Sequence, residues 1–394
     1  MNLKRNIKLF YIYSMFDELL ILGPIIVIYL FFKGLAFSEI MFLQSISAIA
    51  IVVFEVPTGA IADKIGRKFS IGLSKIMWIL SLIIYITGSS FFHFMIAEIV
   101  FSLGITLKSG ADSALLYDTL KILDRTEEFT EIQGKARSYI YITQAFGSIV
   151  ASFVYSINEY MPMVFSIGFM AIAFMIVMFF IEPPIEDKKG KYGEKYFTQI
   201  KESGKYVIHH SKIRAVAVFA MIFFAFMRAG FWFYQPYMES VNIDVKYFGV
   251  FFFFFNMTAA YFSRNSSRII SLTKSRTFMS MLGLLLVSFI LMGITPIWLG
   301  ALFILPQQMA RGMYAPIINK YSNKYIPSNK RATVLSFISL ATSLSAAIML
   351  PLIGLMKDRI DIFSSHNVLS IALLINSIIL YFYLKKNMNK GVVD

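Results

Sequence analysis

Cysteine is absent from all 394 residues, which excludes disulfides, iron–sulfur clusters and thiolate zinc sites together. Charge is scarce as well: Asp, Glu, Lys and Arg make up 15% of the chain, where a soluble domain carries about 25%. No G-x-x-x-x-G-K-[ST] string occurs, so a P-loop nucleotide site is excluded, and the H-E-x-x-H and G-x-S-x-G signatures of hydrolases are missing too. The first apolar run lacks an A-x-A-like stop and contains Asp17, Glu18 and Pro24, so a retained helix is expected rather than a cleaved signal. What remains is apolar: 57% of residues are hydrophobic and the mean hydropathy is +0.67. These proportions point to a bilayer as solvent and away from a soluble enzyme.

A membrane-spanning helix needs about 20 apolar residues. The runs predict twelve, near 9–32, 39–62, 70–89, 92–115, 138–156, 162–181, 213–237, 247–263, 277–295, 297–317, 333–356 and 367–384. With both termini cytoplasmic, and Arg214 at the edge of its span counted with the linker, the cytoplasmic segments collect 29 of the 37 Lys and Arg, against 4 on the opposite side and 4 within helices. Positive charge stays inside during insertion, so an even helix count and the net charge of +14 have one cause. A nucleic-acid surface, the other reading of a basic chain, would need a contiguous basic face on a soluble domain.

Three domains are expected: a six-helix bundle over 1–181, a cytoplasmic linker with an amphipathic helix over 182–212, and a second six-helix bundle over 213–394. The linker opens with Glu182, Pro183 and Pro184 and carries Lys188, Lys189, Lys191, Lys195, Lys201 and Lys205. Helices 1 and 7 each carry a proline near one end, Pro24 and Pro236, and helices 4 and 10 carry the ionisable Glu98 and Arg311. Polar or broken helices in corresponding positions of two halves point to a transporter's substrate site.

Between helices 2 and 3 stands Gly59-Ala-Ile-Ala-Asp63-Lys64-Ile65-Gly66-Arg67-Lys68. Gly59 permits close helix approach, Gly66 a tight turn, and Asp63 can pair with Arg67 or a neighbouring helix. The string resembles the G-x-x-x-D-x-x-G-R-[KR] loop of the major facilitator superfamily. That resemblance covers helix count, linker position and loop. It implies an all-α membrane protein of twelve helices in two six-helix bundles that alternate access to a central substrate, with the loop in the cytoplasmic gate. Two features depart from the superfamily's drug antiporters. Helix 5 reads Gln144-Ala-Phe-Gly147 without their Gly-Pro pair, and Glu98 stands where they usually carry arginine.

Charges at membrane depth usually face a cavity. Asp17 and Glu18 lie roughly 12 Å into helix 1 and Glu98 roughly 10 Å into helix 4, while Arg228 and Arg311 lie roughly 22 and 21 Å deep. These five, with Trp232, Tyr234, Gln235 and Gln307, are the expected substrate and proton site. Glu98 is either a proton-binding carboxylate or the partner of Arg228. Trp232, Tyr234 and Gln235 form either a substrate wall or an interfacial aromatic belt. Glu55 and Asp112 join Gly59, Asp63, Gly66, Arg67 and Lys68 in the gate. Lys75 is expected to reach back to the cytoplasmic surface, without a special role.

The expected function is secondary active transport in the cell membrane, with the proton as coupling ion and no cofactor, metal or nucleotide. The leading substrate class is lipophilic organic compounds, exported by antiport; the alternative is uptake of a nutrient or organic anion by symport. A lipid flippase or transporter-like sensor is a third class. A monomer is expected, with the lipid bilayer and a small molecule as its partners.

Overall fold

The computed structural model describes residues 3–184, 192–327 and 330–388, and no strand occurs among them. Helices satisfy every backbone donor and acceptor within one segment, which hydrocarbon requires and these apolar sequences allow. In chain order the helices are α1 (Lys4–Asp17), α2 (Ile26–Phe32), α3 (Phe37–Lys64), α4 (Arg67–Thr87), α5 (Phe91–Lys108), α6 (Ala111–Ile122), α7 (Phe129–Ile157) and α8 (Met161–Met178). There follow α9 (Tyr192–His209), α10 (Ser211–Ser240), α11 (Phe248–Arg264), α12 (Ser266–Thr273), α13 (Thr277–Ile294), α14 (Leu305–Tyr325), α15 (Arg331–Lys357) and α16 (Ile362–Met388). Linker residues 185–191, with Lys188, Lys189 and Lys191, lie outside the described residues.

Among the described residues, ten helical stretches are long and apolar enough to cross a membrane. The two expected spans that do not qualify are interrupted or polar. The helix expected at 9–32 is broken: α1 stops at Asp17 and α2 starts at Ile26. Gly23-Pro24 explains the interruption, because proline lacks a donor and disfavours helical geometry in the residue before it. One freed backbone group is satisfied across the fold, where the Ile21 N–H donates to Ser166 Oγ at 3.1 Å. Gly147 of α7 makes room for this segment: a Cβ there would lie 2.8 Å from Leu19 Cδ1 and 2.9 Å from Ile21 Cγ2. The helix expected at 297–317 becomes a 3-10 turn, Trp298–Ile304, followed by α14, which carries Gln307, Gln308 and Arg311. The helix expected at 92–115 ends early, at Lys108; Gly110 turns the chain with φ +76° and α6 continues.

The chain forms two compact units. One comprises Met1–Leu35, Ile46–Glu194 and Val245–Phe253; the other comprises Ala36–Ser45, Lys195–Asp244 and Phe254–Asp394. In the first unit α4 and α5 are joined by a polar stripe at helical spacing. Ser70 Oγ donates to the Leu107 carbonyl at 2.6 Å, Trp78 Nε1 to Phe101 O at 3.1 Å and Ser81 Oγ to Ala97 O at 2.8 Å. Hydrophobicity does not distinguish neighbouring helices from lipid tails, so such bonds, each worth about 0.6 kcal/mol, and close packing hold the pair. Gly104 lets Trp78 lie flat, since a Cβ there would stand 2.5 Å from the indole. The stripe also orients the next face of α4, from which Lys75 projects toward α1.

Candidate functional site

In the first unit the end of α1 gathers a cluster of charges. Asp17 is 1% exposed and Lys75 0%, and the Lys75 ammonium pairs with Asp17 Oδ1. Lys108 Nζ lies 2.5 Å from Asp17 Oδ2 and 2.7 Å from Glu18 Oε1. Tyr13 donates its hydroxyl to Asp17 Oδ1 at 2.5 Å, and Gln144 Nε2 donates to Glu18 Oε2 at 3.2 Å. Arg137 Nη1 stands 3.7 Å from Glu18 and is the most exposed member. The cluster thus runs from an exposed edge at Arg137, through Glu18 and Lys108, to the fully buried Lys75. Its location follows from the break in the helix. Unpaired carbonyls at a helix C-terminus carry partial negative charge and attract cations, and Lys75 Nζ reaches the Asp17 carbonyl oxygen at 3.3 Å. Lys75 also stacks over the Trp78 ring at 4.0 Å. The expectation that it reaches the cytoplasmic surface is therefore corrected: a carboxylate, an indole and a helix end offer the ammonium more than the interface does.

Elsewhere in this unit Glu98 is buried, 6% exposed, and accepts the Tyr85 hydroxyl at 2.5 Å. The loop motif has a geometry that its residue types did not reveal. Arg67 Nη2 pairs with Asp118 at 3.0 Å. The Glu182 carboxylate caps the start of α4, accepting the Arg67 N–H at 2.8 Å and the Lys68 N–H at 2.7 Å. Gly66, at φ +137°, gives this carboxylate room; a Cβ there would lie 3.2 Å from Glu182. Lys68 Nζ donates to the Met178 carbonyl at 2.7 Å. Asp63 is half-buried on α3, Glu55 is exposed on the same helix, and Asp112 accepts the Ser113 N–H at 2.6 Å. Gly59 lies on α3 one turn before Asp63.

The second unit holds an uncharged counterpart. Tyr234 donates to Gln307 Oε1 at 3.0 Å, Gln307 Nε2 donates to Ser288 Oγ at 2.8 Å, and Ser288 donates to the Phe303 carbonyl at 2.5 Å. Gly230 admits the Gln307 amide, whose oxygen occupies the place of a side chain. Gln308, beside it, is fully buried, and both atoms of its amide lack a partner among the described residues. Arg311 donates to Asn256 Oδ1 at 2.8 Å, and Arg228 lies over the Phe231 and Trp232 rings, 5.7 Å from each centroid. Trp232, Tyr234 and Gln235 are all buried, which argues against an interfacial belt, whose members face headgroups.

Of the expected residues, Asp17 and Glu18 share one cluster and Tyr234 and Gln307 another. Sequence reading missed Lys75, Lys108, Gln144 and Glu182 as partners. Only the depth of Lys75 and Lys108 in apolar runs signalled them.

The chain matches the Major Facilitator Superfamily profile over residues 9–350 and again over 217–391. An uncharacterized MFS-type transporter of Bacillus subtilis (strain 168), YxaM, is 22% identical over 375 residues, covering 93% of this chain and 92% of that one. Among solved structures, a bacterial homolog of the human lysosomal transporter Spinster, inward-facing and unoccupied, superposes with a TM-score of 0.76 at 14% identity, covering 100% of both chains. The nucleoside transporter NupG superposes with a TM-score of 0.75 at 15% identity, covering 99% of this chain and 100% of that one. The chain belongs to the Major Facilitator Superfamily and is a multi-pass membrane transporter of small molecules, without enzymatic function.

Proposed function

We propose that this transporter works by alternating access and is coupled to protons through the Asp17 cluster, carrying an organic anion together with the proton. Two interrupted or polar helices beyond the ten apolar spans complete a twelve-helix arrangement with both termini cytoplasmic. The observation that carries the reading is the clamp of Asp17 between Lys75 and Lys108 at a helix break. Asp112 lies within electrostatic reach of Lys108, so Asp17, Glu18 and Asp112 balance Lys75, Lys108 and Arg137. One added proton leaves the cluster positive and frees an ammonium for a carboxylate or phosphate on the solute. Release of solute and proton on the other side restores the clamp. The buried amide and ring cluster of the second unit supplies hydrogen bonds and shape, and Arg311 adds charge. The superposed nucleoside transporter gives precedent for a polar solute on this fold.

The second reading is export of lipophilic organic compounds by proton antiport, favoured by the ring density of α10, where Phe231, Trp232, Phe233 and Tyr234 follow one another. The two differ in the sign of the pH dependence. A screen of organic anions and cations by thermal stabilisation of the purified protein, between about pH 5.5 and 8.5, separates them. Anion binding should tighten as pH falls, and Asp17→Asn should hold the profile flat at its low-pH level. A cation that binds more tightly as pH rises, with that slope lost in Asp17→Asn, would support export instead. A flat profile in the native protein would remove the cluster from coupling.

A further inference from the structure

Away from both clusters, one end of the second unit carries a groove of about 610 Å³. Five cationic side chains line it: Lys274, Arg276, Lys320, Lys324 and Lys385. Among the described residues, no carboxylate pairs with any of them and no Asp or Glu lines the groove. The reason is compositional. Residues 245–357 contain 11 Lys and Arg and not one Asp or Glu. Positive-inside topology asks for an excess of Lys and Arg but does not forbid acids beside them, since Asp and Glu contribute little to orientation. Their complete absence over this stretch leaves a positive field with no internal counter-charge.

The groove is built at the ends of several helices. Lys274, at φ +49°, sits in the turn between α12 and α13, Arg276 precedes the first residue of α13, Lys320 and Lys324 occupy the last turns of α14, and Lys385 is near the end of α16. Between the cations stand rings: Phe278 packs on Tyr321 at 4.7 Å between centroids, and Tyr325 and Tyr381 complete the wall. Exposed apolar side chains stand within a helical turn of lining residues Tyr381 and Ile270. On α16 the side chains of Ile378, Ile379 and Phe382 are more than half exposed, and Leu272 on α12 is 74% exposed. They lie on helical stretches long and apolar enough to cross a membrane, where such side chains suit acyl chains.

We infer that this groove binds the phosphate-bearing headgroup of an anionic phospholipid, with the acyl chains lying along α16 and α12. Several cations without acids select a phosphate anion, and basic pockets at the cytoplasmic ends of membrane helices suit such headgroups. The exposed apolar flank favours a lipid over free phosphate, which has no use for it. Tyrosine hydroxyls and rings at headgroup level add hydrogen bonds and an amphipathic wall.

The test uses the full-length protein and phosphatidylglycerol. Retained lipid is counted by native mass spectrometry, and affinity is read by titrating phosphatidylglycerol into protein held in neutral detergent, with phosphatidylcholine as comparison. The variant Arg276→Gln/Lys320→Gln/Lys324→Gln should weaken phosphatidylglycerol binding about 100-fold, roughly fivefold per charge, and leave phosphatidylcholine binding unchanged. The control Lys4→Gln/Lys8→Gln/Lys135→Gln removes equal charge from the first unit and should leave it unaltered. Equal loss in the control, no loss in the groove variant, or displacement of the lipid by millimolar inorganic phosphate would overturn the proposal. Should the triple variant not fold, a photoreactive phosphatidylglycerol on the native protein decides: the proposal expects labelling near Tyr321, Tyr325 and Tyr381, and labelling confined to other helices refutes it.

Discussion

The two units solve the problem of burying polar groups in opposite ways. The first buries full charges, Asp17 against Lys75 and Lys108, and balances each with another. The second buries neutral groups, Tyr234, Gln307 and Ser288, in a directional chain of hydrogen bonds, and keeps Gln308 buried with its amide unpartnered among the described residues. Protonation of a balanced ionic cluster changes its net charge by one unit and weakens an ion pair. A neutral chain responds to shape and hydrogen-bond fit. The proposed function assigns coupling to the first cluster and recognition to the second, and variants in each cluster test that division.

The largest effect is expected at Asp17. Asp17→Leu leaves Lys75, 0% exposed, without its carboxylate, and such a break in a buried pair costs about 3–5 kcal/mol. Lys75→Met should cost less, because Lys108 still neutralises Asp17. The double variant Asp17→Leu/Lys75→Met should recover much of the loss, while proton-driven transport stays absent. Melting temperatures of the two single variants and the double in one detergent give the coupling; additive losses would refute the pair.

Overpacking the second unit comes next. Gly230→Ala places a methyl where the Gln307 amide oxygen sits, which should displace that side chain and cost about 1–3 kcal/mol. Solute affinity should fall while its dependence on pH keeps its slope. A changed slope would show that the two clusters do not divide the work.

A smaller change isolates one bond. Tyr234→Phe removes the donor to Gln307 without altering volume, for a loss of about 1 kcal/mol. The half-saturating solute concentration should rise with no change in the melting profile's pH dependence. An unchanged concentration would place the Tyr234 hydroxyl outside recognition.

The smallest effect calibrates pH dependence away from both clusters. Asp361 caps α16, accepting the Ser364 hydroxyl at 2.6 Å and the N–H groups of Phe363 and Ser364 at 2.9 Å each. The Ser364 hydroxyl and then its backbone N–H hold the Asp361 carboxyl below its ordinary 3.8. A lowered folded pKa stabilises above the ordinary value, and the benefit fades as pH falls through the folded one. Asp361→Ala should thus cost roughly 0.5 kcal/mol at pH 7, less than a buried cap because the site is open to water. The difference from the native protein should shrink as pH falls below the ordinary 3.8, with no change in transport; a difference independent of pH would assign the loss to something other than the carboxylate.

Much of the Asp17 cluster was legible in the sequence as acids within an apolar run, and little of its wiring. Asp17 and Glu18 stand out in an apolar run, and the Gly59 to Lys68 loop carries its resemblance in consecutive residues. All-helical architecture, many spans and the family follow from composition and local pattern, because hydrocarbon forces each segment to satisfy its own backbone and periodicity is a property of neighbours in the chain. Pairing across helices is not such a property. Lys75 and Lys108 meet Asp17 from 58 and 91 positions away, and Glu182 caps α4 from 115 positions away. The sequence by itself determined that charged groups stand within long apolar runs. Only the tertiary structure decided which of them face one another, because a helix can turn any of its sides to its neighbours until packing, through contacts such as Gly104 against Trp78, selects one.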